Sequence, residues 1–272
     1  MTLEFLEIRD RHVMFAFAGC VALALLGDVS DALGTGSIYQ VLNPSLKAGE
    51  ALAIFALFSV ITRMGNDTLL SRVDLLSIAG LGVAFALPSV KCASVAISAM
   101  ALMFVARRDA RLIAIAQLLF ALVTYRFLGR LLFDLLAPHA LRLETVAVAM
   151  LLSLFGNFSR DGFSIVGPNG HTIFIDTGCS AFHNITVAAL IWLALIKIER
   201  LQFLRSDWWA LAAMIGATIL VNTIRIALMA QSPAMLHYWH DGPGVAVFSV
   251  ALLVFLLAIS LLSRLRPAAT PA

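Results

Sequence analysis

Apolar residues in this chain run in long blocks and do not alternate with polar ones. A helix needs about 20 mostly apolar residues to cross a bilayer core. Blocks of that character cover approximately residues 13–33, 51–64, 75–90, 93–105, 112–125, 146–155, 182–196, 208–229 and 245–262. Several are short, and flanking residues fill the remaining thickness. The pattern predicts an all-α, polytopic integral membrane helical bundle with about eight transmembrane helices. It forms a single transmembrane domain over residues 1–272. The charged stretch 126–142 fits either one crossing or an interfacial helix. No internal repeat or low-complexity tract is visible, and the Pro-containing end, 266–272, reads as a tail.

Composition agrees. Hydrophobic residues make up 61% of the 272 and charged residues only 13%. Soluble domains carry roughly 45–50% and about 25%. Lipid must therefore serve as part of the solvent, and the bilayer is the first partner. The net charge of +3 is small, with no basic run interleaved with aromatics, which argues against nucleic acid. Cys20, Cys92 and Cys179 match no zinc spacing, and an odd count is no disulfide framework. No metal and no cofactor are expected. The first apolar run lacks a small-residue cleavage site and reads as a retained helix.

Loop charge sets orientation. Lys197, Arg200 and Arg205 form one basic loop, and Arg264 and Arg266 a basic tail; both are expected in the cytoplasm. Segments 158–180 and 231–244 then fall on the outer face. Arg107, Arg108 and Arg111 suggest another cytoplasmic loop.

Three motifs depart from lipid-facing composition. In Asp176-Thr177-Gly178-Cys179-Ser180-Ala181, Asp176 or Thr177 is placed to cap the next helix, with Cys179 in its first turn. Free N–H groups and the positive dipole end there favour a thiolate. A buried structural cysteine is the alternative. Thr218, Asn222 and Arg225 share one helical face at i, i+4, i+7. An arginine at hydrocarbon depth costs at least about 2.5–3.5 kcal/mol, so it faces a cavity or partner unless it snorkels to headgroups. In His240-Asp241-Gly242-Pro243-Gly244, His240 suits a general acid or base, although Asp241 could simply cap the last helix. Cys179, Arg225 and His240 fall at one membrane level by the charge argument. A nucleophile, a cation and a proton carrier together suggest acyl transfer. His183, four residues beyond Cys179 on the same helical face, competes with His240 as base, with Asn184 beside it. His171 and His237 lie nearby, and His12 and His139 near span ends.

These blocks, in this order, resemble the exosortase/archaeosortase family. The resemblance rests on Gly170-His171-Thr172-Ile173-Phe174-Ile175 leading to Gly178-Cys179-Ser180-Ala181, on Asn222 to Arg225, and on His240 to Gly244 with Phe248 beyond. It covers roughly the C-terminal half, about 140–264. It implies a cysteine peptidase or transpeptidase in the cytoplasmic (inner) membrane, with its site facing outward. The implied substrates are tethered proteins ending in a short Pro-containing motif, a transmembrane helix and a basic tail, of the PEP-CTERM type. They are cut and passed to an acceptor. The resemblance assigns catalysis to Cys179, Arg225 and His240 and raises His240 above His183 as proton carrier; Asn222, Ser180 and His183 complete the candidate site as supporting residues. The family usually reads Ala-Cys-Ser-Gly; here Gly178 precedes the cysteine and Ala181 replaces the last glycine. Two other classes remain open: a non-catalytic component of exopolysaccharide assembly or export, and a small-solute transporter using Arg225 as an anion site.

Overall fold

The chain folds as a bundle of apolar helices with one small sheet at an end. A computed structural model describes residues 12–22, 44–64, 71, 74, 76–80 and 90–265. Its helices are α1 (His12–Ala22), α2 (Pro44–Thr62), α3 (Val90–Ala106), α4 (Ala110–Val123), α5 (Gly129–Ser153), α6 (Phe182–Glu199), α7 (Arg205–Met229), α8 (Pro233–His240) and α9 (Gly244–Leu265). The expected span 75–90 and the second half of 13–33 lie largely outside the described residues, as does the tail 266–272.

Among the described residues, four helical runs are long and apolar enough to cross a membrane: Ala110–Ser153, Phe182–Glu199, Arg205–Met229 and Gly244–Arg264. With the shorter apolar α1, α2 and α3, they make this an all-α multi-pass membrane protein. The first run corrects the sequence reading. Blocks 112–125 and 146–155 are not separate spans, because stretch 126–142 between them is helical throughout. At 1.5 Å per residue the 44 residues reach about 66 Å, roughly twice a ~30 Å hydrocarbon core. Asp109 starts this run by accepting the N–H groups of Arg111 (2.8 Å) and Leu112 (3.2 Å). Between α4 and α5 the chain widens into a π-helical turn, Thr124–Leu128. Gly129 ends that turn where a Cβ would sit 2.6 Å from the Thr124 carbonyl and 3.0 Å from Thr186 of α6.

Helix α6 is central, packing on α2, α4, α7 and α9. Its face Val187, Leu190, Ile191 and Ala194 joins Leu118, Met214 and Leu252 in the main apolar core. At its C-terminal end the basic groups are held in place. Lys197 lies within the helix, wholly buried, donating to the Leu201 carbonyl (2.6 Å) with its ammonium over the Phe203 ring. Arg200 pairs with Asp207, and Arg264 with Glu199.

At the opposite end of α6 sits an antiparallel meander that the all-α pattern did not predict. It comprises β1 (Ser159–Asp161), β2 (Ser164–Val166) and β3 (Thr172–Phe174), in that order. Ile165 opposes Ile173 in register. Both point into a second core with Val148 and Leu152 of α5 and Ile226 and Met229 of α7. Gly162, at φ +58°, supplies the left-handed residue that the two-residue β1–β2 turn requires.

Candidate active site

The ladder outlasts β3 by one bond, Ile175 N–H to the Phe163 carbonyl (2.9 Å). Asp176 then turns the chain. Its Oδ1 accepts from Gly178 N–H (2.9 Å) and Cys179 N–H (3.2 Å), and its carbonyl also accepts from Cys179 N–H (3.1 Å). This local turn competes with helix formation. Helix α6 therefore starts only at Phe182, and Cys179 lies in the turn before it, not in its first turn. Neither Asp176 nor Thr177 caps the helix. Ala181 holds the N-cap position and has no side chain to cap with. Glu144 of α5 reaches in instead: its Oε1 accepts from Ser180 Oγ (2.7 Å) and Ala181 N–H (3.0 Å). Ser180 Oγ in turn accepts from Phe182 N–H (3.2 Å).

Helix α7 binds this turn from the other side. Asn222 is buried and donates Nδ2 to the Cys179 carbonyl (2.8 Å). Thr218, on the same face, bonds only its own helix, at the Met214 carbonyl (2.8 Å). Arg225 donates Nε to the Trp239 carbonyl (3.0 Å), and its guanidinium lies 4.8 Å from the Phe248 ring centroid. One face of α7 thus grips both the Cys179 turn and the residue before His240. Arg225 also lines a cavity of about 520 Å³ with Gly178, Ser180, His183, Arg126 and Arg130.

His240 ends α8, with Nδ1 2.9 Å from Asp241 Oδ1. Asp241 is the C-cap of α8 and does not cap the last helix. The glycines that follow have a steric reason. A Cβ on Gly244 would come within 2.7 Å of Tyr238, and one on Gly242 within 3.0 Å of the His237 and Tyr238 carbonyls. The chain can fold back beside His240 only without side chains there.

Electrostatics correct the expected thiolate. Cys179 is 6% exposed, among Ile173, Ile175, Ile226 and Met229. Burial pushes its thiol up to about 11, and the Asp176 charge pushes the same way. A hydrogen bond from the Asp176 backbone and the Arg225 charge act oppositely without prevailing. The resting sulfur is a protonated thiol at neutral pH.

The family model for transmembrane exosortase (Exosortase_EpsH) matches residues 43–257. The chain belongs to this family. Membership makes it a multi-pass, transpeptidase-type sorting enzyme of the membrane, acting on substrates that carry a sorting signal. Neither the curated proteins nor the solved structures offer a match to it.

In this exosortase-family chain, Cys179, Ser180, Asn222 and Arg225 come together. His183 also reaches the cavity and stacks on Tyr125 at 5.3 Å between centroids. The His240 ring does not line the cavity; it joins the group through the backbone that Arg225 holds. His171 bonds the Met229 carbonyl (3.2 Å) and His237 is exposed. Among the described residues no His, Cys, Asp and Glu side chains gather as a metal set. Two acidic groups were missed. Glu144 supports the turn, and Glu50 of α2 accepts from Arg126 Nε (3.0 Å). Each lies just before an apolar block, 51–64 or 146–155, where a charge reads as the block's boundary and gives no separate signal.

Proposed function

We propose that this protein is a cysteine transpeptidase that cleaves C-terminal sorting signals of membrane-tethered proteins on the outer face of the cytoplasmic membrane. Cys179 is the nucleophile. His240 takes its proton when substrate binds, and the thiolate attacks the scissile carbonyl. The tetrahedral oxyanion is met by Arg225. His240 returns the proton to the leaving amine, the C–N bond breaks, and a thioester remains. An acceptor nucleophile then gives its proton to His240, attacks the thioester and displaces the thiolate. Asp241 holds Nδ1–H of His240 and leaves Nε2 free for the proton. The recognised tail carries a Pro-containing motif, a hydrophobic helix and basic residues.

The observation that carries this reading is the double grip of α7. Asn222 holds the Cys179 carbonyl and Arg225 holds the Trp239 carbonyl, so nucleophile and proton carrier are fixed to one rigid element. The outward orientation is supported by the basic groups at the far end of α6, some 27 Å away at 1.5 Å per residue. Cys179→Ala must abolish processing of a co-expressed protein bearing such a tail. Processing that survives this change removes the nucleophile and the reading with it. His240→Ala and His183→Ala, compared on the same substrate, identify the proton carrier: loss is expected in the first.

A further inference from the structure

Of the five consecutive backbone N–H groups from Gly178 to Phe182, four have acceptors and one does not. The N–H groups of Gly178, Cys179, Ala181 and Phe182 are each bonded, to Asp176, Asp176, Glu144 and Ser180 Oγ respectively. The Ser180 N–H has no partner among the described residues, although Ser180 is buried. A buried backbone N–H without an acceptor is rare and costly. Its direction is constrained. The Cys179–Ser180 peptide is trans, so its N–H points opposite to the carbonyl that Asn222 holds. Ser180, Gly178 and Arg225 all line the same cavity. An unbonded N–H on the residue after Cys179, a residue that lines a cavity also holding a guanidinium, suits an oxygen that gains negative charge.

Glu144 has a place in this arrangement. A serine at position 181 would cap α6 without burying a carboxylate. The chain instead carries Ala181 and brings Glu144 from another helix, with Oε2 buried and unpartnered. Glu144 takes the Ser180 hydroxyl and the Ala181 N–H and so pins the Ser180 side chain and the peptide after it, while Asn222 holds the peptide before it by the Cys179 carbonyl. Neither group remains to turn toward a substrate. We propose that the Ser180 backbone N–H is the oxyanion donor of the acyl-transfer step, and that Glu144 is the positioning residue that holds it ready. This rests on the transpeptidase reading above.

The test separates acylation from plain thiol reactivity. Alkylation of Cys179 by iodoacetamide builds no oxyanion, whereas acylation by a substrate tail does. In detergent-purified full-length protein, Glu144→Ala is expected to slow single-turnover acylation by roughly 10²-fold. The iodoacetamide rate should stay within about threefold, and substrate KM should hardly move. Glu144→Gln keeps a carbonyl acceptor at Oε1 and should recover acylation to within about tenfold of the parent. Ser180→Pro removes the N–H itself and should cost roughly 10²–10³-fold in acylation with alkylation preserved. Equal losses of alkylation and acylation in Glu144→Ala would assign it to folding of the turn and overturn the proposal. So would undiminished acylation in Glu144→Ala or Ser180→Pro, or failure of Glu144→Gln to exceed Glu144→Ala. Should Ser180→Pro not fold, the Glu144 pair still decides. Processing by Cys179→Ala would instead sink the transpeptidase reading itself.

Discussion

Arg126 and Arg225 line the same cavity, but the protein treats the two charges differently. Arg126, on the π-helical turn of the long span, is matched by a carboxylate: Glu50 of α2, which is 7% exposed. Arg225 has no carboxylate in contact among the described residues. Its Nε is given to a neutral carbonyl, and its face rests on the Phe248 ring. A guanidinium in a membrane protein can be neutralised to hold helices together, or kept electrically available. Carbonyls and rings fix Arg225 in direction without cancelling its charge. The first arrangement suits architecture and the second suits chemistry that develops negative charge.

The largest effect should separate the two arginines by function. Arg225→Lys should reduce substrate processing by about 10²–10³-fold, because an ammonium cannot donate to Trp239 and also present a planar fork. Arg126→Lys should stay within about threefold, since a point charge still satisfies Glu50. Equal losses in the two variants would erase the distinction. Initial rates on a tail-bearing substrate in reconstituted membranes measure this.

Stability should divide them the opposite way. Arg126→Ala takes the guanidinium away from the buried Glu50 carboxylate, which should cost about 3 kcal/mol. Thermal unfolding in detergent should show the loss, and Arg126→Ala with Glu50→Ala should recover much of it. Arg225→Ala strands no buried carboxylate and should destabilise less. If removing Arg225 unfolds the protein while removing Arg126 does not, the assignment is reversed.

This division shows where the sequence could be read and where it could not. Apolar block length identified α6, α7 and α9, because spanning lipid leaves few alternatives to a helix. The same rule cut the 44-residue run in two, since Arg126, Arg130, Asp134 and Arg142 mimic a loop. Their charges face a cavity, an ion pair or the surface, which block counting does not register. Asn222 and Arg225 were legible as one polar face because helical spacing is fixed. The start of α6 was not. Asp176 looks like an N-cap, yet it closes a turn of its own, and the capping group comes from Glu144, 36 residues away. A cap supplied from another helix leaves no local pattern. The thiol was misjudged for the same reason: the expected dipole end begins beyond Cys179, and burial governs the sulfur.

The thiol gives a finer measure of the two charges. With Cys179 pushed up to about 11, its thiolate fraction should grow about tenfold per pH unit from pH 7 to 10, without a plateau. Iodoacetamide rates should follow that rise. The Arg225 charge favours the thiolate, so removing it raises the thiol further and should slow alkylation several-fold, about threefold, at fixed pH. Arg126→Ala should leave the profile in place. A plateau near pH 8 would mean a thiolate poised before substrate arrives.

The smallest effect belongs to the third arginine of the cavity. Arg130 lies one helical turn beyond Arg126, exposed, with no hydrogen bond or ion pair among the described residues. It therefore strands nothing when removed, and exposed substitutions of this kind usually move stability by no more than about 0.5 kcal/mol. Arg130→Ala should leave the melting temperature and the Cys179 alkylation profile unchanged. A destabilisation near that of Arg126→Ala would mean that the cavity holds its cations as one network, and that pairing with Glu50 does not set Arg126 apart. A shift of the thiol profile would likewise show that Arg225 is not the charge the sulfur feels most. Unaltered melting and titration together would locate the architectural charge at Arg126 and the chemical charge at Arg225, in a cavity where all three differ only in what they touch.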